Sequence, residues 1–129
     1  AKFLKNKQIK LNITVGFNAS QIIPFGKINV DYFSLILGKT EDWGFSNEET
    51  IKTTKKILIN IKSKTKLLLA SIRNEDHLTK SIINGADVLT VPPTTWEKVF
   101  NNKYSNLALE AVHSDWKKIP EKYKKKYEW

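Results

Sequence analysis

Cysteine and methionine are both absent from this chain of 129 residues, and Arg73 is its only arginine. Without cysteine there is no disulfide scaffold, no thiol nucleophile and no thiolate metal site. Scarce arginine removes the bidentate fork with which specific nucleic-acid readers grip bases and phosphates. Glycine and proline number only 5 and 4, too few for a fibrous or low-complexity chain. No apolar run approaches the roughly 18 residues that cross a bilayer, and no signal-peptide pattern opens the chain. No GxGxxG or GxxxxGK turn follows an apolar run, so dinucleotide and P-loop readings find no support. A chain that opens on Ala1 and contains no methionine is expected to begin either at a processed end or at the cut end of something longer.

What remains is 40% apolar and 27% charged, the balance of one globular domain over residues 1–129. A basic, aromatic tail occupies residues 119–129. Lysine and arginine total 22 against 13 acidic residues, giving +9. Such a charge attracts polyanions and phosphorylated metabolites. The lysines gather at 52–66 and 117–126, mostly at helix-surface spacing, which favours solvated faces over a polyanion surface.

Leu11, Ile13, Val15 and Phe17 alternate with Asn12, Thr14 and Gly16, predicting a strand with one apolar face. A short helical piece over 18–23 follows, stopped by Pro24 and Gly26. Residues 28–37 read as a second strand and 39–44 as a loop. Ser46-Asn47-Glu48-Glu49 is a capping-box pattern opening a helix to about Lys62, with Ile51, Ile57, Leu58 and Ile61 in one stripe. A continuous apolar run over 66–71 predicts a strand covered on both faces. Asn74 caps a helix that Gly85 stops. Residues 87–91 form a fourth strand, broken by Pro92-Pro93. Two helices follow, one to about Asn101 and one from a Ser105 cap to about Lys118. Strands alternating with helices imply βαβ units, a parallel sheet and right-handed crossovers.

The polar residues of interest fall at the carboxyl ends of the strands, where parallel α/β proteins bind ligands. Asn12 and Thr14 lie on the polar face of the first strand, and Ser34 and Lys39 at the end of the second. Ser71-Ile72-Arg73-Asn74 places a hydroxyl, a guanidinium and a helix start together, a combination suited to phosphate. The competing role for Arg73 is a salt bridge to Glu75 or Asp76; Asn74 reads as a simple N-cap. Asn12 and Thr14 can equally form an interior hydrogen-bonded pair. His77 reads as a surface residue in a first helical turn and His113 as a packing residue, with no metal-ligand spacing between them. Glu41-Asp42 reads as solvated loop, with a paired acid and base as the alternative. Trp96, Phe100, Leu109 and Trp116 read as core or helix-packing residues.

These strand-end residues resemble the carboxyl half of a transaldolase and, more distantly, the fructose-6-phosphate aldolases, over about residues 8–118. Asn12-Ile13-Thr14-Val15-Gly16-Phe17 with Gln21 is similar to the family's fifth barrel strand, and Tyr32 to Lys39 to its sixth. Leu69-Ala70-Ser71-Ile72-Arg73-Asn74 is similar to the seventh and is the most specific match. Gly85 to Pro93 resembles the eighth, and Ser114-Asp115-Trp116 the closing helix. The resemblance implies a (β/α)8 TIM barrel, of which this chain is the last four βα units, a half-barrel, plus a C-terminal helix. It implies a cytoplasmic enzyme of the pentose phosphate pathway that transfers a dihydroxyacetone unit between sugar phosphates. A lysine on the fourth strand forms a Schiff base with the ketose, and neither metal nor organic cofactor is needed. Asn12 and Thr14 would line the pocket beside the Schiff base. Ser34 would bind substrate hydroxyls, and Ser71 and Arg73 the phosphate, with Lys39 where the family usually has arginine. Leu35-Ile36 stands in place of the usual Pro-Phe, and Thr40-Glu41-Asp42 alters the following loop.

The same resemblance implies that the nucleophile's strand lies upstream of Ala1, and none of Lys2, Lys5, Lys7 or Lys10 sits in a strand pattern like it. This chain alone is then expected to bind sugar phosphate without turning it over. Four βα units leave two open sheet edges, to be closed by the missing half or by a second copy. Two other readings stand beside this one. One is a non-catalytic basic module for nucleic acid or an acidic partner, although a specific nucleic-acid reader is not expected from one arginine. The other is a self-paired structural half-barrel. No membrane association is expected. Tyr123, Tyr127 and Trp129 in the tail either cover the pocket mouth or fray.

Overall fold

Four parallel strands run side by side in chain order in the computed structural model, which describes residues 1–44 and 46–127, residue 126 by its backbone alone. Trp129, considered above with the tail, lies outside the described residues. The strands are β1 (Asn12–Gly16), β2 (Tyr32–Ile36), β3 (Lys66–Ala70) and β4 (Val88–Leu89). The helices are α1 (Lys2–Asn6), α2 (Ile22–Lys27), α3 (Leu37–Asp42), α4 (Asn47–Asn60), α5 (Glu75–Ile83), α6 (Pro93–Phe100), α7 (Lys103–Lys118) and α8 (Glu121–Lys124). The order β1-β2-β3-β4 contains no reversal. Right-handed crossovers then keep the connecting helices on one face of the sheet.

The core fits that arrangement. Phe33 and Leu35 of β2 and Leu67 and Leu69 of β3 alternate onto one face and are fully buried against Ile22 of α2 and Ile51 and Leu58 of α4. The intervening residues Tyr32, Ser34 and Ile36 pair in register with Lys66, Leu68 and Ala70 on the other face. Asn12 opposes Tyr32 and shares that second face. The apolar run of β3 is therefore covered closely on one side and only half-covered on the other.

Two aspartates fasten the amino ends of the strands. Asp31, just before β2, accepts the Leu11 N–H at 2.8 Å and the Lys5 ammonium at 2.9 Å. Asp87, just before β4, accepts the Leu67 N–H at 2.8 Å and the Lys55 ammonium at 2.5 and 2.6 Å. At Asp31 the backbone N–H of Leu11 above all, and then the Lys5 ammonium, hold the carboxyl below its ordinary range.

Several local expectations are corrected by the fold. Val15 is 57% exposed at φ +65°, and the β1–β2 register shifts between Ile13 and Gly16. A bulge breaks the alternation because Gly16 must seat against Phe33, whose ring would lie 2.7 Å from any added Cβ. α2 runs through Pro24 and Gly26. Pro24 sits in the first turn, where its missing N–H costs nothing, and Gly26 admits Leu58 of α4 and Ile61 just past its end at close range. Residues 39–44 are mostly helix, since α3 continues directly from β2. Ser46 caps α4 through the Glu49 N–H, but the Glu49 carboxylate takes the Thr53 hydroxyl, so the reciprocal half of the box is not made. Asn102, and not Ser105, caps α7.

α7 carries no buried residue. Leu109 and Trp116 on it, and Trp96 and Phe100 on α6, are exposed, with Trp96 and Phe100 stacked on each other at 6.0 Å. They are not core residues here, and His113 is likewise exposed. The periodicity marked an apolar face correctly; what covers such a face is not a property of the helix itself.

Candidate functional site at the carboxyl rim

The end of β2 and the end of β3 meet at Gly38. β2 passes into α3 with Leu37 buried and Gly38 facing the segment that leaves β3. A Cβ on Gly38 would lie 2.5 Å from Ser71 Oγ and 2.7 Å from Arg73 Cζ. The missing side chain is thus the space that the Ser71 hydroxyl and the Arg73 guanidinium fill together. Ser71 reaches this position at φ +63°, left-handed backbone that a serine adopts at a cost. Between them Ile72 is fully buried and anchors the turn, and the Thr95 hydroxyl donates to the Ile72 carbonyl at 3.1 Å. Asn74 then caps α5, its Oδ1 accepting the His77 N–H at 2.8 Å, as its sequence position predicts.

Arg73 has a partner that local sequence does not reveal. Its Nη1 and Nη2 donate to Asp42 Oδ1 and Oδ2 at 2.7 and 2.9 Å, a parallel fork across to the end of α3. The expected alternatives, Glu75 and Asp76, do not take this role; Asp76 pairs with Lys80. Arg73 holds the Asp42 carboxyl below its ordinary value, and Lys39 adds a smaller pull in the same direction. Asp42 in turn raises the Arg73 guanidinium. Lys39 is exposed on α3, next to Gly38, and makes no ion pair among the described residues. The rim therefore gathers two cations around the Asp42 carboxylate, with Glu41 near enough to act on Arg73 as well.

One layer below, the fully buried Ser34 hydroxyl donates to Asn12 Oδ1 at 2.7 Å. Ser34 lies three residues before Leu37, so roughly 10 Å of strand separates this pair from the rim. Thr14 is exposed on β1 and makes no side-chain hydrogen bond among the described residues. The bonded pair is thus buried Ser34 with exposed Asn12, not Asn12 with Thr14.

Beside the rim, α3 is tied to its neighbours. Thr40, fully buried, donates to the Leu37 carbonyl at 2.6 Å and meets the Asn47 side chain at the start of α4. His77 is buried, not on the surface, with Nε2 2.7 Å from Glu41 Oε2. Glu41 and Asp42 are thus cross-links from α3 to the β3–α5 segment, not solvated loop. A cleft of about 210 Å³ opens between α3, α4 and α5, lined in part by Glu41, Glu48, Asp76, His77 and Ser81. Among the described residues no three histidine or carboxylate groups converge as a metal site would need. None of the described helices is long and apolar enough to cross a membrane.

The family model described as Transaldolase/Fructose-6-phosphate aldolase matches residues 1–129. The chain belongs to that family. It is 35% identical over 120 residues to a protein named probable transaldolase from Dictyoglomus turgidum, covering 93% of this chain and 56% of that protein. Likewise named relatives are 32% identical in Caulobacter vibrioides (86% of this chain, 51% of the relative) and 33% identical in Paracoccus denitrificans (94% and 56%). The chain spans about half the length of the curated relatives it matches.

The sequence pointed to Ser71, Arg73, Lys39, Ser34, Asn12 and Thr14, of which Thr14 stands exposed and apart from the Asn12–Ser34 bond. It missed Gly38, Asp42 and the Glu41–His77 pair. Gly38 left a signal, a glycine directly after the second expected strand. Asp42 left none, because its partner lies 31 residues away.

Proposed function

We propose that this chain is the sugar-phosphate-gripping half of a Schiff-base transaldolase, a transferase moving a dihydroxyacetone unit between sugar phosphates in the cytoplasmic pentose phosphate pathway. Arg73 and Lys39 neutralise the phosphate, and the Ser71 hydroxyl donates to one of its oxygens. Ser34 and Asn12, already bonded to each other, present a hydroxyl and an amide to substrate hydroxyls deeper in the pocket, and Thr14 lines its wall. The observation that supports this most is the convergence of Ser71 and Arg73 over the bare Cα of Gly38, beside Lys39.

The nucleophile belongs to polypeptide outside these residues. Among the described residues the only lysine on a strand is Lys66, at the amino end of β3. About 13 Å of strand separates it from the rim. An amine also needs desolvation or a cationic neighbour to be nucleophilic at neutral pH, and Lys66 is exposed. The open edges of β1 and β4 and the uncovered face of α7 are the surfaces that the rest of a (β/α)8 barrel would cover.

Borohydride reduction in the presence of fructose 6-phosphate tests the assignment. The 129-residue chain is expected to bind the sugar phosphate, to lose binding in Arg73→Ala, and to form no covalent adduct, whereas a full-length counterpart is trapped. Trapping on a lysine within this chain would overturn the division of labour.

A further inference from the structure

The guanidinium at the rim is already occupied, and its occupant is chemically informative. Asp42 engages both Nη atoms of Arg73 with both of its oxygens. That is the geometry a phosphate monoester or a free carboxylate would need. We infer that Asp42 is a specificity-determining competitor: a tethered carboxylate that any ligand must displace from Arg73, which admits phosphate dianions and rejects sugar acids. This inference rests on the proposed phosphate role of Arg73.

The discrimination follows from charge and tethering. Asp42 is held on α3, whose position is fixed by buried Leu37 and Thr40 and by the Glu41–His77 contact. Its effective concentration at Arg73 is therefore that of an intramolecular ligand, about millimolar or higher. A free monocarboxylate exchanges one equivalent bond pair for another and gains nothing over it. A phosphate dianion brings about two charges and three acceptor oxygens. It can hold Arg73, the unpaired Lys39 and the Ser71 hydroxyl at once. Both side chains of the Asp42–Arg73 pair are about half exposed, so the carboxylate can swing into water when displaced.

The test is binding of a matched pair of probes, glycerol 3-phosphate and glycerate, by calorimetry at fixed ionic strength. The proteins are the wild-type chain, Asp42→Asn, Asp42→Ser and Arg73→Ala, each checked for folding by a thermal melt. The wild type is expected to bind the phosphate and not the acid. Removing one negative charge beside a dianion is expected to tighten phosphate binding about tenfold. In both Asp42 variants glycerate binding is expected to appear, and Arg73→Ala abolishes both ligands. If either folded Asp42 variant keeps wild-type affinity for the phosphate and still refuses glycerate, while Arg73→Ala abolishes binding, Asp42 is no competitor although the phosphate site stands. Should no protein of the series bind the phosphate through Arg73, the phosphate reading fails together with this one.

Discussion

Gly38 carries the most consequential absence of a side chain. Alanine there would drive a methyl group into Ser71 Oγ and the Arg73 guanidinium. Both neighbours are side-chain termini that can move, so the fold is expected to survive with a melting temperature close to wild type. Phosphate affinity is expected to fall at least about tenfold, the worth of a charge-assisted hydrogen bond. Calorimetric titration beside a thermal melt separates the two effects. At the opposite end of the sheet Asp31 acts on stability. Its carboxyl is depressed in the folded state, so its contribution is present above the unfolded pKa and lost as pH falls through the folded one. The melting-temperature gap between wild type and Asp31→Asn is therefore expected to be full at pH 7 and to close as the pH drops below about 4. A gap unchanged at low pH would show that the Leu11 and Lys5 bonds do not act through the charge.

Helices of similar make-up differ in what their caps support. α5 starts at Asn74, packs His77 and Ser81 inward and continues the strand-end turn of Ser71. Asn74→Ala is expected to lower unfolding free energy by about 1 kcal/mol in urea titrations. α7 starts at Asn102, whose Oδ1 accepts the Tyr104 and Ser105 N–H groups, yet α7 buries nothing. Asn102→Ala is expected to leave the urea midpoint nearly unchanged and to speed amide exchange within α7 alone. Equal losses from the two caps would mean that α7 is packed in solution against something. Periodicity was readable in both helices and the cap in α5, because they are local; for α7 the sequence pointed to a cap at Ser105 instead of Asn102. The packing of neither helix was readable, since it depends on chain far away in sequence.

Across the molecule, several of the basic side chains are answered locally by carboxylates. Lys52, Lys55, Lys80, Lys118 and Lys124 each meet a carboxylate. Isolated surface charges act over about a Debye length, roughly 8–10 Å at physiological salt. Neutralising Lys117, Lys118 and Lys122 together is accordingly expected to change sugar-phosphate affinity less than about twofold. A larger loss, measured by the same calorimetry, would place the basic tail at the pocket.

The order of elements, the parallel sheet and the family membership were legible from residues such as Ser71-Ile72-Arg73-Asn74, because strand alternation, caps and strand-end motifs are written within a few consecutive positions. The bulge at Val15, the α3 helix, the burial of His77 and the Asp42–Arg73 fork were decided only when distant segments met. Gly16 had to clear Phe33, and α3 had to dock beside the end of β3. Side-chain partners 20 to 40 residues apart are chosen by the geometry of the packed sheet and helices, on which local propensity has no hold.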